Sequence, residues 1–179
     1  MMEPYRLLVG LDQTTLADLV FQQALNLAQD RQGELYLVHC LNLEFQGQLG
    51  TMLDAGMGLQ SRINLDDLQQ SRQVTQLKAA RRWLRQLCEQ AAQRKVPCDY
   101  RIDRRSPGPL LCYLAQDWSA DLVVVGNGKK EVWQALILGS VSKYVIEHSP
   151  CPTLVVPGGN HRKREFPPQA NLASDNLLP

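Results

Sequence analysis

No stretch of this chain stays apolar long enough to span a bilayer, and its start, MMEPYR, does not join charge to an apolar run as a secretory leader does. Metal-ligand spacing is missing as well. The three histidines, His39, His148 and His161, are scattered, and the five cysteines (40, 88, 98, 112 and 151) form an odd set without paired close spacing. That usage argues against a zinc site or a disulfide framework and predicts mostly buried thiols in a reducing compartment. No Ser/His/Asp or Cys/His constellation is signalled. Gly128-Lys129-Lys130 is not followed by Ser or Thr, so the Walker phosphate loop is absent and an efficient hydrolase is not supported. A dominant charge sign is lacking too: 19 basic residues face 18 acidic ones, which gives no bulk attraction for a polyanion. The expectation is a cytoplasmic protein with neither a membrane nor a nucleic acid as partner.

What is present fits one α/β domain. With 179 residues, 44% of them hydrophobic, the chain can bury a single core. Apolar runs at 6–11, 34–41, 98–102, 122–125 and 153–156 read as strands. Between the first two, Thr14 or Thr15 can cap a helix whose stripe is Leu16, Val20, Ala24, Leu27 and Ala28, stopped by Gly33. A second stripe (Leu77, Leu84, Leu87, Ala91) starts a helix near Arg72. Its arginines read as a solvated face because glutamines and Glu89 interrupt them. Ser106-Pro107-Gly108-Pro109 opens a third helix. Strand–helix–strand units of this kind demand right-handed crossovers and parallel strands. The expected fold is an open, mostly parallel five-stranded sheet with helices on both faces, spanning 1–157. Residues 42–71, rich in glycine, read as a surface insertion with some helix. Residues 158–179 read as a disordered tail with a solvated basic cluster at 161–164.

The run from Asp121 to Pro157 carries the densest signal. An apolar strand (122–125) ends at Gly126, Gly128 follows, and Gly139-Ser140 opens a helix that Pro150 and Pro152 stop. Glycines at a strand's carboxyl end and a Gly-Ser at a helix start are the parts of a phosphate cradle, although a tight turn with a capped helix has the same parts. Asp12, at the end of the first strand, suits either ribose hydrogen bonding or an N-cap. In an open parallel sheet such strand ends line the ligand crevice.

This run resembles the universal stress protein family, whose nucleotide motif is Gly, two residues, Gly, nine residues, then Gly-Ser or Gly-Thr. Gly126 and Gly139-Ser140 stand at the right separation, Lys129 stands where the middle Gly would be, and His-Ser-Pro-Cys-Pro with Leu-Val-Val completes the likeness. The resemblance implies a site for ATP or a related adenine nucleotide, with magnesium as an optional companion. It would be built from Gly10, Leu11, Asp12, Cys40 (through its main chain), Gly126, Gly128, Lys129, Gly139, Ser140 and Val141. His39 reads as a packed strand residue. The resemblance also implies a homodimer through the last strand, Thr153, Leu154, Val155 and Val156, which would cover apolar residues at a sheet edge. Three functions remain open: a nucleotide-binding stress-response module, a nucleotide-free dimeric scaffold, and a slow ATPase.

Overall fold

Five apolar runs become five parallel strands. In the computed structural model, which describes residues 3–41, 59–127 and 138–158 (without the side chains of 59–69), the element order is β1 (Arg6–Leu11), α1 (Ala17–Asp30), β2 (Glu34–Cys40), α2 (Leu59–Gln93), β3 (Cys98–Asp103), α3 (Pro107–Asp117), β4 (Leu122–Asn127), α4 (Ser140–His148) and β5 (Thr153–Pro157). The sheet order is β3-β2-β1-β4-β5, and every pairing is parallel. The order reverses at β1, between β2 and β4, so the crevice of the sheet opens at the carboxyl end of β1.

Side-chain alternation sorts the core into two layers. Leu7, Val9 and Leu11 of β1 face Val20, Phe21 and Ala24 of α1, with Leu84, Leu87 and Ala91 of α2 completing that side. Leu8 points the other way, joining Val123 and Val125 of β4 beneath Leu110, Leu111 and Leu114 of α3 and Val145 of α4. Each fully buried side chain of this size contributes roughly 1.5–3 kcal/mol. The amino-terminal edge of the sheet is pinned by Arg6. Its N–H donates to Asp121 Oδ2 (2.8 Å), and its side chain reaches Glu34 Oε1 (3.2 Å) and the Trp118 carbonyl (3.3 Å).

The three helices that run down to this edge end alike. After α1, α2 and α3 the residues Gln32, Lys95 and Ser119 have positive φ (52°, 60° and 53°). The next N–H then reaches back to an alanine carbonyl: Gly33 to Ala28 (2.8 Å), Val96 to Ala91 (3.0 Å) and Ala120 to Ala115 (2.8 Å). These are Schellman stops in which a residue with a Cβ occupies the left-handed position that glycine usually takes.

The structure moves several expected boundaries. The second helix starts at Leu59, inside the segment read as an insertion to 71, because no Gly or Pro interrupts the chain from 59 to 93. Residues 42–58 and the tail from 159 lie outside the described residues. Asp103 and Asn127 belong to strands, each just past the end expected for its apolar run. Neither Thr14 nor Thr15 is the N-cap of α1; Leu16 holds that position without a side-chain cap bond. Ser106 does sit at the N-cap position of α3, also without such a bond, and proline occupies the first turn as expected. On edge strand β5, Val156 is already buried in the α1-side core, which reduces the exposed apolar hazard to Leu154 and Val155, both half-buried.

Candidate functional site

Where β1 ends, the chain must turn upward into α1, and the donors of the helix's first turn need partners. Asp12 and Thr14 build this turn. Asp12 Oδ1 accepts from the Thr14 hydroxyl (2.6 Å) and the Thr14 N–H (3.3 Å), and Thr14 Oγ1 in turn accepts from the Leu16 N–H (3.3 Å). The Ala17 N–H reaches the Thr14 carbonyl (3.1 Å). Asp12 is exposed at the mouth of the crevice, held by the turn it closes.

Across the switch point lies a cleft lined by Gly10, Leu11, Asp12, Ala17, Val20, Val38, Cys40, Pro107, Leu111, Val125, Gly126 and Val141. Its empty volume is about 590 Å³, part of it open to solvent. The floor is aliphatic, from β1, β2, β4 and α3; the rim carries Asp12 and the ends of three strands at Gly10, Cys40 and Gly126.

On the far side of the cleft stands the N-terminus of α4. Gly139 is extended (φ −63°, ψ 158°) and takes the N-cap position. Its N–H donates to Asn127 Oδ1 (3.2 Å), and its carbonyl accepts from the Lys143 N–H (2.9 Å) and the Ser142 hydroxyl (3.0 Å). Asn127, which the sequence reading did not single out, therefore ties the end of β4 to the start of α4. The available signal was its place, an Asn at a strand end twelve positions before the Gly-Ser. Val141 reaches the cleft wall and Ser140 is exposed at the helix start. Such a terminus favours negative charge through its free N–H groups and the helix dipole.

Six of the expected residues, Gly10, Leu11, Asp12, Cys40, Gly126 and Val141, line this one cleft, and Gly139 and Ser140 stand at the α4 N-terminus. Gly128 and Lys129 lie outside the described residues. The reason for Gly126 differs from the one the sequence suggested. No glycine described here has a positive φ, and a Cβ on Gly126 would meet Leu16 Cδ2 at 2.8 Å and Val20 Cγ2 at 3.0 Å. The missing side chain lets α1 pack closely on β4. His39 is buried as expected: its Nδ1 donates to the Leu11 carbonyl (2.9 Å), and its ring meets Trp83 edge-on (centroids 5.4 Å). This pair stiffens the end of β1 from behind.

Cys40 is half-buried, and burial, then the nearby Asp103 charge, pushes its thiol up to about 11 against the pull of Arg105. It is a neutral thiol near pH 7, so it brings no negative charge to the cleft wall. Asp103 is the anchor of the β3 end. It accepts from Arg105 Nη2 (2.8 Å), Arg101 Nε (3.1 Å) and the N–H groups of Arg104 (2.8 Å) and Arg105 (3.0 Å). The Arg105 hydrogen bond first, and the others after it, hold its carboxyl well below the usual range despite burial. Among the described residues no group of three or more His, Cys, Asp or Glu could hold a metal ion, and no helix is long and apolar enough to cross a membrane.

Comparison with known proteins agrees with this architecture. The profile described as the universal stress protein family matches residues 5–157. Universal stress protein Sll1388 of Synechocystis sp. is 31% identical over 151 residues, covering 84% of this chain and 96% of the relative. Among solved structures, hypothetical protein MJ0577 superposes with a TM-score of 0.67 at 17% identity, over 89% of this chain and 99% of that one. The Archaeoglobus fulgidus universal stress protein in complex with dAMP superposes with a TM-score of 0.55 at 17% identity, over 87% of this chain and 99% of that one. Further structures of the same fold were solved with cAMP and with AMP.

Proposed function

The chain belongs to the universal stress protein family, and from that premise we propose that its cleft binds ATP or a related adenine nucleotide, making it a stress-response binding module whose partner behaviour changes with occupancy. The observation that carries this reading is the convergence on one cleft of Asp12, the strand-end residues Gly10, Cys40 and Gly126, and Val141 from the first turn of α4, next to Gly139-Ser140. A carboxylate suits ribose hydroxyls, an aliphatic slot suits a base, and a helix N-terminus suits phosphate. The dAMP, cAMP and AMP complexes of proteins with this fold support the choice of adenine. Magnesium would accompany a triphosphate through the phosphate oxygens. A homodimer through Thr153 to Val156 belongs to the same proposal, supported by the half-buried Leu154 and Val155 on edge strand β5.

One sequence observation favours a second reading. Lys129 replaces the motif glycine, and its Cβ could crowd the phosphates, which would leave a nucleotide-free scaffold. Mass spectrometry of the supernatant from freshly purified, denatured protein separates the two, followed by calorimetric titration with ATP, AMP and adenosine at low salt. A released adenine nucleotide, or ATP binding more tightly than adenosine with a gap that shrinks as salt rises, supports the cradle. A nucleotide-free supernatant together with flat titrations overturns it in favour of the scaffold.

A further inference from the structure

Cys88 and Cys98 are ten positions apart in sequence, one in the last turns of α2 and the other the first residue of β3, and their sulfurs lie 2.6 Å apart. The turn between them is held by the Val96 N–H to Ala91 carbonyl bond (3.0 Å) and the positive φ of Lys95, so the backbone brings the two residues side by side. Both thiols are free, and both are half-buried at the rim of the core between α2 and the sheet, within reach of a small oxidant. We infer that Cys88 and Cys98 form a reversible, peroxide-driven disulfide that clips the end of α2 to edge strand β3.

The reaction balances with hydrogen peroxide as oxidant. The Cys88 thiolate attacks one peroxide oxygen, the O–O bond breaks, and Cys88 becomes a sulfenic acid while the other oxygen leaves as water. The Cys98 sulfur then attacks the Cys88 sulfur, the S–O bond breaks, and a second water leaves with the Cys98 proton. Two thiols lose two electrons in all, and one peroxide becomes two waters. The roles follow from the contact. The hydrogen bond from Cys98 holds the Cys88 thiol below its ordinary value, whereas that same pairing, with burial, pushes Cys98 up. Burial pushes up Cys40, Cys112 and Cys151, so Cys88 is the thiol best prepared to ionise. A pair this close needs little movement to reach the roughly 2.05 Å of a disulfide.

The test uses the full chain, reduced, desalted and treated with a few-fold excess of hydrogen peroxide, then alkylated with iodoacetamide and digested with trypsin without reductant. Cleavage after Arg85, Arg94, Lys95 and Arg101 places the two cysteines on separate peptides, 86–94 and 96–101. The expected result is an intact mass lower by two hydrogens and a linked pair of these peptides, released by dithiothreitol. Alkylation of the pair should drop by an order of magnitude while the other three thiols change little. In Cys88→Ser the link should vanish and Cys98 should remain open to alkylation after peroxide. The inference is overturned if wild-type Cys88 and Cys98 stay as alkylatable as the other thiols, if Cys88 proceeds to sulfinic acid without a link, or if the links found join other cysteines or two molecules.

Discussion

Gly126→Ala asks whether this glycine serves packing, as the geometry indicates. The new Cβ would sit 2.8 Å from Leu16 Cδ2, 3.0 Å from Val20 Cγ2 and 3.3 Å from Leu16 Cγ. Leu16 is half-buried and presents the far end of a flexible side chain, so it can yield. Val20 is buried at 2% exposure and stiff at χ1, so it cannot swing away without moving α1. Overpacking a filled core costs about 1–3 kcal/mol, and one yielding neighbour out of two puts this change in the lower half, about 1–2 kcal/mol. For a chain of this size the melting temperature should fall by roughly 2–8 °C. Differential scanning calorimetry measures it directly. Leu16→Ala in the same background removes the first clash, so the double variant should be less destabilised than the sum of the two singles by about 1 kcal/mol. An unchanged melting temperature, or strict additivity in the double variant, would refute the packing account and return Gly126 to a role in ligand approach.

Three further outcomes follow from the site and the edges of the sheet. Asp12→Ala should weaken adenine-nucleotide binding by about 1–3 kcal/mol, the usual loss when hydrogen bonds to a charged group disappear; equal calorimetric affinities for wild type and variant would remove Asp12 from the site. Asp103 has a folded-state pKa below its unfolded one, so its stabilisation is full above the unfolded value near 3.9 and is lost as pH falls from there toward the folded value. Urea midpoints between about pH 5 and pH 3 should therefore drop more steeply for wild type than for Asp103→Asn, and parallel curves would show that the arginine cluster contributes nothing. Val155→Lys should shift sedimentation toward monomer if β5 is the two-fold contact; a wild type that is already monomeric at high concentration sinks the dimer.

The strands and the cleft were legible because they rest on local signals. Runs such as RLLVGL and LVVVG are short, apolar and bounded by turn residues, as buried parallel strands are, and a parallel sheet gathers their carboxyl ends, which is why Asp12, Cys40 and Gly126 meet although far apart in sequence. What escaped the sequence depends on pairings between side chains that no period encodes. The Cys88–Cys98 contact needs a helix end and a strand start joined by one particular turn, and spacing alone gave no hint of it. Asn127 looked like one more polar residue beside a glycine until its amide oxygen was seen to hold the Gly139 N–H. The need for Gly126 was visible, but its cause lies on α1, more than a hundred residues away. The burial of Val156 under α1 likewise follows from sheet order, which places β5 within reach of the first helix.

The left-handed stops at Gln32, Lys95 and Ser119 sit on the edge of the sheet opposite the cleft, and each carries a Cβ in a conformation that costs an L-residue about 1–2 kcal/mol. Three such positions amount to a reserve of unclaimed stability at the foot of the molecule. Heat tolerance can rise or fall there through the choice of one residue per helix end, none of them a residue of the cleft wall. In this architecture one set of dials for durability lies apart from the residues that line the crevice, and adaptation can turn it without substituting any of them.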